Sequence, residues 1–151
     1  MTDYELIRKQ MLALAEESRY YIPLMANVSA LLHSQMTEIN WAGFYLVKDE
    51  ALILGPFQGK AACVKILQGR GVCGTAWHKD EVQLVPDVHA FPGHIACDNA
   101  SRSEIVVPIH RGGEMWAVLD IDSPVAGRFT EDDKAGLIKL AEAMEETIEW
   151  E

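Results

Sequence analysis

The residues of this sequence best able to do covalent chemistry are its three cysteines, Cys63, Cys73 and Cys97. A thiolate can act as nucleophile, metal ligand or redox centre, whereas a buried thiol is simply a small apolar side chain. No two of them have the C-x-x-C spacing of a redox dithiol. His94 and Cys97 stand three apart, and Cys63 and Cys73 would complete a set of four metal ligands. Zinc sites bring their ligands in close pairs, so one loose pair is a poor match. Cys63 and Cys73 each read equally well as core residues. Cys97 differs because its neighbours are polar. It falls within residues 86–102, a segment of 17 residues with no hydrophobic period that also contains His89, Phe91 and His94. Loops longer than about 12–15 residues in a compact domain are usually functional or disordered, and this content favours function. An exposed Cys97 thiol, with His94 and Arg102 nearby to favour the thiolate and Asp98 opposing them, is the candidate nucleophile.

Carboxyl groups supply the second candidate set. In the alternating run of residues 115–122, Met115, Ala117, Leu119 and Ile121 make an apolar face, and Trp116, Val118, Asp120 and Asp122 make the other. Two carboxylates two apart on a strand share a face, roughly 7 Å apart. Glu104 opens the strand expected to lie beside them. A solvated strand end is the bland reading, but Trp116 and Val118 imply cover. Clustered carboxyls under cover raise one another's pKa, which yields a proton donor, an amine binder or both. Trp41, Gly43 and Tyr45 share a face of another strand. The aromatics are either core or the walls of a small pocket in which Gly43 leaves clearance.

The elements that must position these groups follow from period and punctuation. Thr2 to Glu5 has capping-box spacing and opens a helix that ends near Ser18. Pro23 suits the first turn of a second helix, with Leu24, Val28, Leu31, Leu32 and Met36 on its apolar face. Residues 41–47, 52–57, 63–67 and 82–85 read as strands. Residues 69–74, Gly-Arg-Gly-Val-Cys-Gly, read as a tight turn before a short helix over 75–79. The match to a dinucleotide fingerprint is rejected, because the surroundings are antiparallel and the helix is short. Residues 103–110 and 115–122 form a hairpin across Gly112-Gly113. Thr130 opens a closing helix with Leu137, Leu140, Ala141, Met144 and Ile148 on one face. Helices, then strands, then a helix make an α+β domain with helices packed on an antiparallel sheet. The expectation is a single domain spanning 1–151.

Composition limits the partners. The chain has 151 residues, 49% of them hydrophobic, with 13 Lys plus Arg against 23 Asp plus Glu and a net charge of −10. Such a charge repels phosphate backbones and anionic lipid, so neither nucleic acid nor a membrane is expected as a partner. The N-terminus lacks the basic start and apolar run of a signal peptide, and an odd cysteine count suits a reducing compartment. A cytoplasmic protein is expected.

Taken together, the segments containing these residues resemble the free methionine-(R)-sulfoxide reductases, small proteins of the GAF fold. The resemblance is carried by residues 40–45, 54–60, 69–76, 94–98, 103–108 and 119–123, and it covers the chain. It implies a six-stranded antiparallel sheet with the N- and C-terminal helices packed together on one face. It implies catalysis by Cys97, resolution by Cys63 as a Cys63–Cys97 disulfide, and disulfide exchange involving Cys73. Trp41 and Tyr45 would line the substrate pocket, and Glu104, Asp120 and Asp122 would handle the polar end of the substrate. The implied substrate is free L-methionine-R-sulfoxide, with thioredoxin as reductant, a homodimer as assembly, and no metal or organic cofactor. The alternative is a non-catalytic GAF module that binds a small molecule or cyclic nucleotide, needing no thiols.

Overall fold

A computed structural model of the chain describes residues 1–94 and 100–151. Two helices come first, α1 (Tyr4–Ala15) and α2 (Tyr21–Gln35). They are followed by strands β1 (Trp41–Lys48), β2 (Ala51–Gly59) and β3 (Lys65–Leu67), then helix α3 (Gly71–Lys79) and strand β4 (Gln83–Val85). A 3₁₀ turn at Val88–Ala90 precedes the hairpin β5 (Ser103–Arg111) and β6 (Glu114–Ser123), and α4 (Glu131–Thr147) closes the fold. The strands form one six-stranded sheet in the order β3-β2-β1-β6-β5-β4, with every pairing antiparallel. The α+β expectation therefore holds. Among the described residues no helix is long and apolar enough to cross a membrane.

Each face of the sheet has its own apolar layer. Ala42, Phe44, Ile105, Val107, Leu119 and Ile121 meet α1, α2 and α4 on one side. The helices present matching stripes, such as Ile7, Met11 and Ala15 on α1 and Leu137, Leu140 and Met144 on α4. α1 and α4 approach closely because Gly136 has no side chain. A Cβ there would lie 2.2 Å from the Tyr4 ring, and the Tyr4 hydroxyl donates to Asp133 Oδ1 at 2.6 Å. Asp133 also completes the capping box of α4 with Thr130. The N-cap of α1 is Asp3, which accepts from the Leu6 amide, rather than Thr2 as its spacing suggests.

The opposite face is covered by α3 and by the segments flanking β3 and β4. Trp41, Tyr45, Val72, Cys73, Ala76, Val106 and Val118 pack there. Two expectations fail on this side. Residues 71–74 are already helical, so Cys73 lies in the first turn of α3. Strand β3 starts at Lys65, which leaves Cys63 in the irregular segment before it.

The strict alternation of β6 also breaks. Ala117 pairs with Ile109 but Met115 pairs with His110, so Trp116 is an extra residue. A one-residue bulge swaps the faces of everything beyond it. Met115 therefore joins the α3 side, while Trp116 tilts against Trp150 at 5.1 Å. The alternation holds from Ala117 to Asp122, where the carboxylates lie.

Candidate active site

The pairing of three strands sets the acidic cluster. Glu104 on β5 sits directly across from Asp122 on β6, and Asp120 is flanked by Val106 and by Gly43 of β1. All three carboxyls line one cavity with Trp41, Tyr45, Ala62, Arg70, Val72, Cys73, His94 and Ser101. Glu104 and Asp120 are buried and Asp122 is half-buried. Asp120 Oδ1 is fully buried and has no hydrogen-bond partner among the described residues. The expectation of a covered cluster is met, and the solvated strand end is excluded.

Burial dominates the electrostatics. It pushes the Glu104 carboxyl far above the usual carboxylate range, with Asp120 and Asp122 adding repulsion. Burial also raises Asp120, although hydrogen bonding with Glu104, Cys73 and Asp122 opposes the rise. Crowded buried carboxyls resist ionising together, so the cluster holds its protons to higher pH than free carboxyls do. Cys73 Sγ donates to Glu104 Oε2 at 3.9 Å. Its thiol is pushed well up, first by burial and then by Asp120 and Glu104. A place in the first turn of a helix would lower a thiol pKa, but here desolvation and the acids win. Cys73 is thus a free, buried and weakly nucleophilic thiol.

Facing the acids is an aromatic wall. The Trp41 ring stacks on Phe57 at 5.1 Å and on Tyr45 at 6.0 Å. Its Nε1 donates to the Lys60 carbonyl at 3.1 Å, and the Tyr45 hydroxyl donates to the Cys63 carbonyl at 2.9 Å. The two pocket aromatics thereby hold the segment that carries Cys63. Gly43 does not provide clearance for a ligand as expected. A Cβ there would lie 2.2 Å from Phe57 Cβ, so the missing side chain admits Phe57 behind the wall.

Cys63 is disulfide-bonded. Cys97, the expected nucleophile, lies outside the described residues. His94 lines the cavity, but burial and then His89 hold its imidazole below its usual pKa, so it brings no fixed cation. Arg102, the other expected partner of a thiolate, is exposed and is not among the cavity-lining residues. The cation at the cavity is Arg70, the N-cap of α3, which sequence reasoning missed. It stood in a glycine-rich run that read as a turn. The four-ligand zinc arrangement loses Cys63, which is disulfide-bonded. Among the described residues, the donor atoms that converge, within 4.8 Å of one another, are those of Cys73, Glu104 and Asp120.

Residues 22–148 match the GAF domain family. The free methionine-R-sulfoxide reductase of Escherichia coli is 56% identical over 128 residues, covering 85% of this chain and 78% of its own. The chain belongs to the free methionine-R-sulfoxide reductase family. Solved structures of the family superpose closely. The fRMsr of Staphylococcus aureus in complex with substrate gives a TM-score of 0.93 at 47% identity, covering 99% of this chain and 97% of that one. The Neisseria meningitidis enzyme in complex with its substrate gives 0.91 at 41% identity, covering 95% and 87%. The buried acids and the aromatic wall line one cavity, and the segment that carries Cys63 is hydrogen-bonded to that wall.

Proposed function

We propose that this chain reduces free L-methionine-R-sulfoxide to methionine at the cavity between β1, β6 and α3. The observation that carries this reading is the buried carboxyl cluster of Glu104 and Asp120, set against the Trp41 wall in a chain with an oxidised Cys63. A sulfoxide oxygen is a poor leaving group until it gains a proton, and an acid whose pKa is raised by burial is suited to supply one. The thioether and methyl of the substrate lie on Trp41, where sulfur–aromatic contact is favourable. Its ammonium faces Asp122 at the half-buried side of the cluster. Its carboxylate faces Arg70 and the amides that open α3.

The reaction begins when the Cys97 thiolate bonds to the sulfoxide sulfur. The protonated oxygen passes to Cys97 as a sulfenic acid, and methionine leaves with both electrons of its restored thioether lone pair. The Cys63 thiol then condenses with the sulfenic acid, releases water and forms the Cys63–Cys97 disulfide. That Cys63 is disulfide-bonded while Cys73 is a free thiol supports this pairing. A thioredoxin returns two electrons by exchange. The setting is the reducing cytoplasm, the enzyme works as a homodimer, and no metal takes part.

The test is thioredoxin-coupled turnover of free methionine-R-sulfoxide beside its S epimer and beside the N-acetylated, amidated R substrate. Turnover confined to the free R form is expected. Equal rates on the blocked substrate would remove the roles given to Asp122 and Arg70.

A further inference from the structure

The stretch of chain that contains Cys63 has a charge opposite to that of the whole chain. From Ala51 to Lys79 the chain contains Lys60, Lys65, Arg70 and Lys79 and no acidic residue, within a protein of 23 acidic and 13 basic residues. Lys60, Lys65 and Arg70 are exposed. Among the described residues the ion pairs are formed by other basic groups, Arg8, Arg19, His110, Arg111 and Arg128, and none uses these three cations. Two of the largest exposed apolar side chains lie in the same stretch, Val64 at 68% and Leu67 at 53% exposure. Cys63 itself is half-buried immediately before Val64. Strand β3 is the edge of the sheet, so its outer backbone groups have no strand beside them.

We infer that the Val64–Leu67 edge, with Lys65 on it and Lys60 and Arg70 flanking it in the chain, is the docking surface for an acidic protein dithiol that reduces the Cys63 disulfide. This rests on the catalytic cycle proposed above. An apolar centre with a charged rim is the usual build of a transient interface. A local basic island on a −10 chain steers an acidic partner to this face and repels it elsewhere. A thiolate of the partner attacks Cys63 Sγ, the Cys63–Cys97 bond breaks, and Cys97 leaves as thiolate and takes a proton. The partner's second thiol then attacks the mixed disulfide and releases the Cys63 thiol. The partner departs as a disulfide, oxidised by the two electrons it has given.

The experiment compares wild type, Lys65→Glu, and Val64→Asp combined with Lys65→Glu, each driven by a reduced acidic thioredoxin or by dithiothreitol. Both altered side chains are exposed and neither touches the cavity. The expected result is a rise in KM for the thioredoxin of about tenfold in the double variant. Turnover driven by dithiothreitol stays at the wild-type rate, which also reports correct folding. Added salt should lower kcat/KM for the thioredoxin in wild type more than in Lys65→Glu. An unchanged thioredoxin KM in both variants overturns the docking surface while the catalytic reading stands. Leu67→Ser serves as the second apolar variant, and its thioredoxin KM must rise as well. If wild type with dithiothreitol forms no methionine, the catalytic reading fails and takes this inference with it.

Discussion

The Tyr45 hydroxyl donates a hydrogen bond to the backbone carbonyl of Cys63 at 2.9 Å. Tyr45 belongs to the central strand β1, whereas Cys63 lies in an irregular segment near the sheet edge. The bond therefore ties the disulfide to the rigid part of the fold. The hydroxyl stays protonated, because burial and then the Asp120 charge raise its pKa. Tyr45→Phe keeps the ring that stacks on Trp41 and removes only the tether. The expectation is normal release of methionine in a single turnover but slower closure of the disulfide. Rapid-quench measurement of methionine against free thiol separates the two, and equal slowing of both would place Tyr45 in the substrate step instead.

Glu104 makes stability depend on pH with a definite sign. Its folded pKa is raised, so the folded chain holds a proton that the unfolded chain releases at about pH 4.3. Stability from this group is complete below that pH and is lost as pH rises toward the folded pKa. Glu104→Gln removes the buried ionisation and keeps the shape. Its Tm should fall less than that of wild type as pH rises from the ordinary carboxylate range toward the raised folded pKa. Activity should fall by roughly 10²-fold from loss of the proton donor. A parallel pair of Tm curves would mean that Asp120 holds the proton.

Much of this site was legible because alternation along a strand is a strong signal. Asp120 and Asp122 had to share a face, and Glu104 had to open the next strand. The failures have local physical causes. Gly71 and Gly74 lower helix propensity, so the start of α3 looked like a turn and hid both Arg70 and the helical setting of Cys73. A bulge leaves no mark in composition, so the swap of Met115 and Trp116 could not be read. The role of Gly43 depends on Phe57, which comes opposite it only through the β1–β2 register.

Gly43→Ala tests the aromatic wall from behind. The new methyl would meet Phe57 Cβ at 2.2 Å and its Cα at 2.7 Å, and these are not flexible ends that can yield. Phe57 must shift, and Trp41 stacks on it at an interplanar angle of 16°. Overpacking of this kind costs about 1–3 kcal/mol. Denaturant unfolding should show that loss, and KM for the sulfoxide should rise more than kcat falls. Restored KM in Gly43→Ala with Phe57→Leu would trace the defect to the stack.

The three cysteines should separate cleanly by the step each one serves. Cys97→Ser should abolish methionine formation even in a single turnover, because no other thiol can make the first bond. Cys73 is no substitute, since its buried thiol is held protonated by desolvation and by Asp120 and Glu104. Cys63→Ser should release about one methionine per chain, because the first displacement needs only Cys97. It should then stall as a sulfenic acid that dimedone labels, or recycle slowly if Cys73 can reach the sulfenic acid. Cys73→Ser should be the mildest of the three in steady state. Its cost should appear in stability, as a hydroxyl replaces a thiol beside crowded carboxyls. Wild type given substrate without reductant should yield the Cys63–Cys97 peptide pair by mass spectrometry, and the pair should vanish on adding thioredoxin. A full single turnover from Cys97→Ser would move the nucleophile elsewhere, and a Cys73-containing disulfide in wild type would reverse the roles given to Cys63 and Cys73.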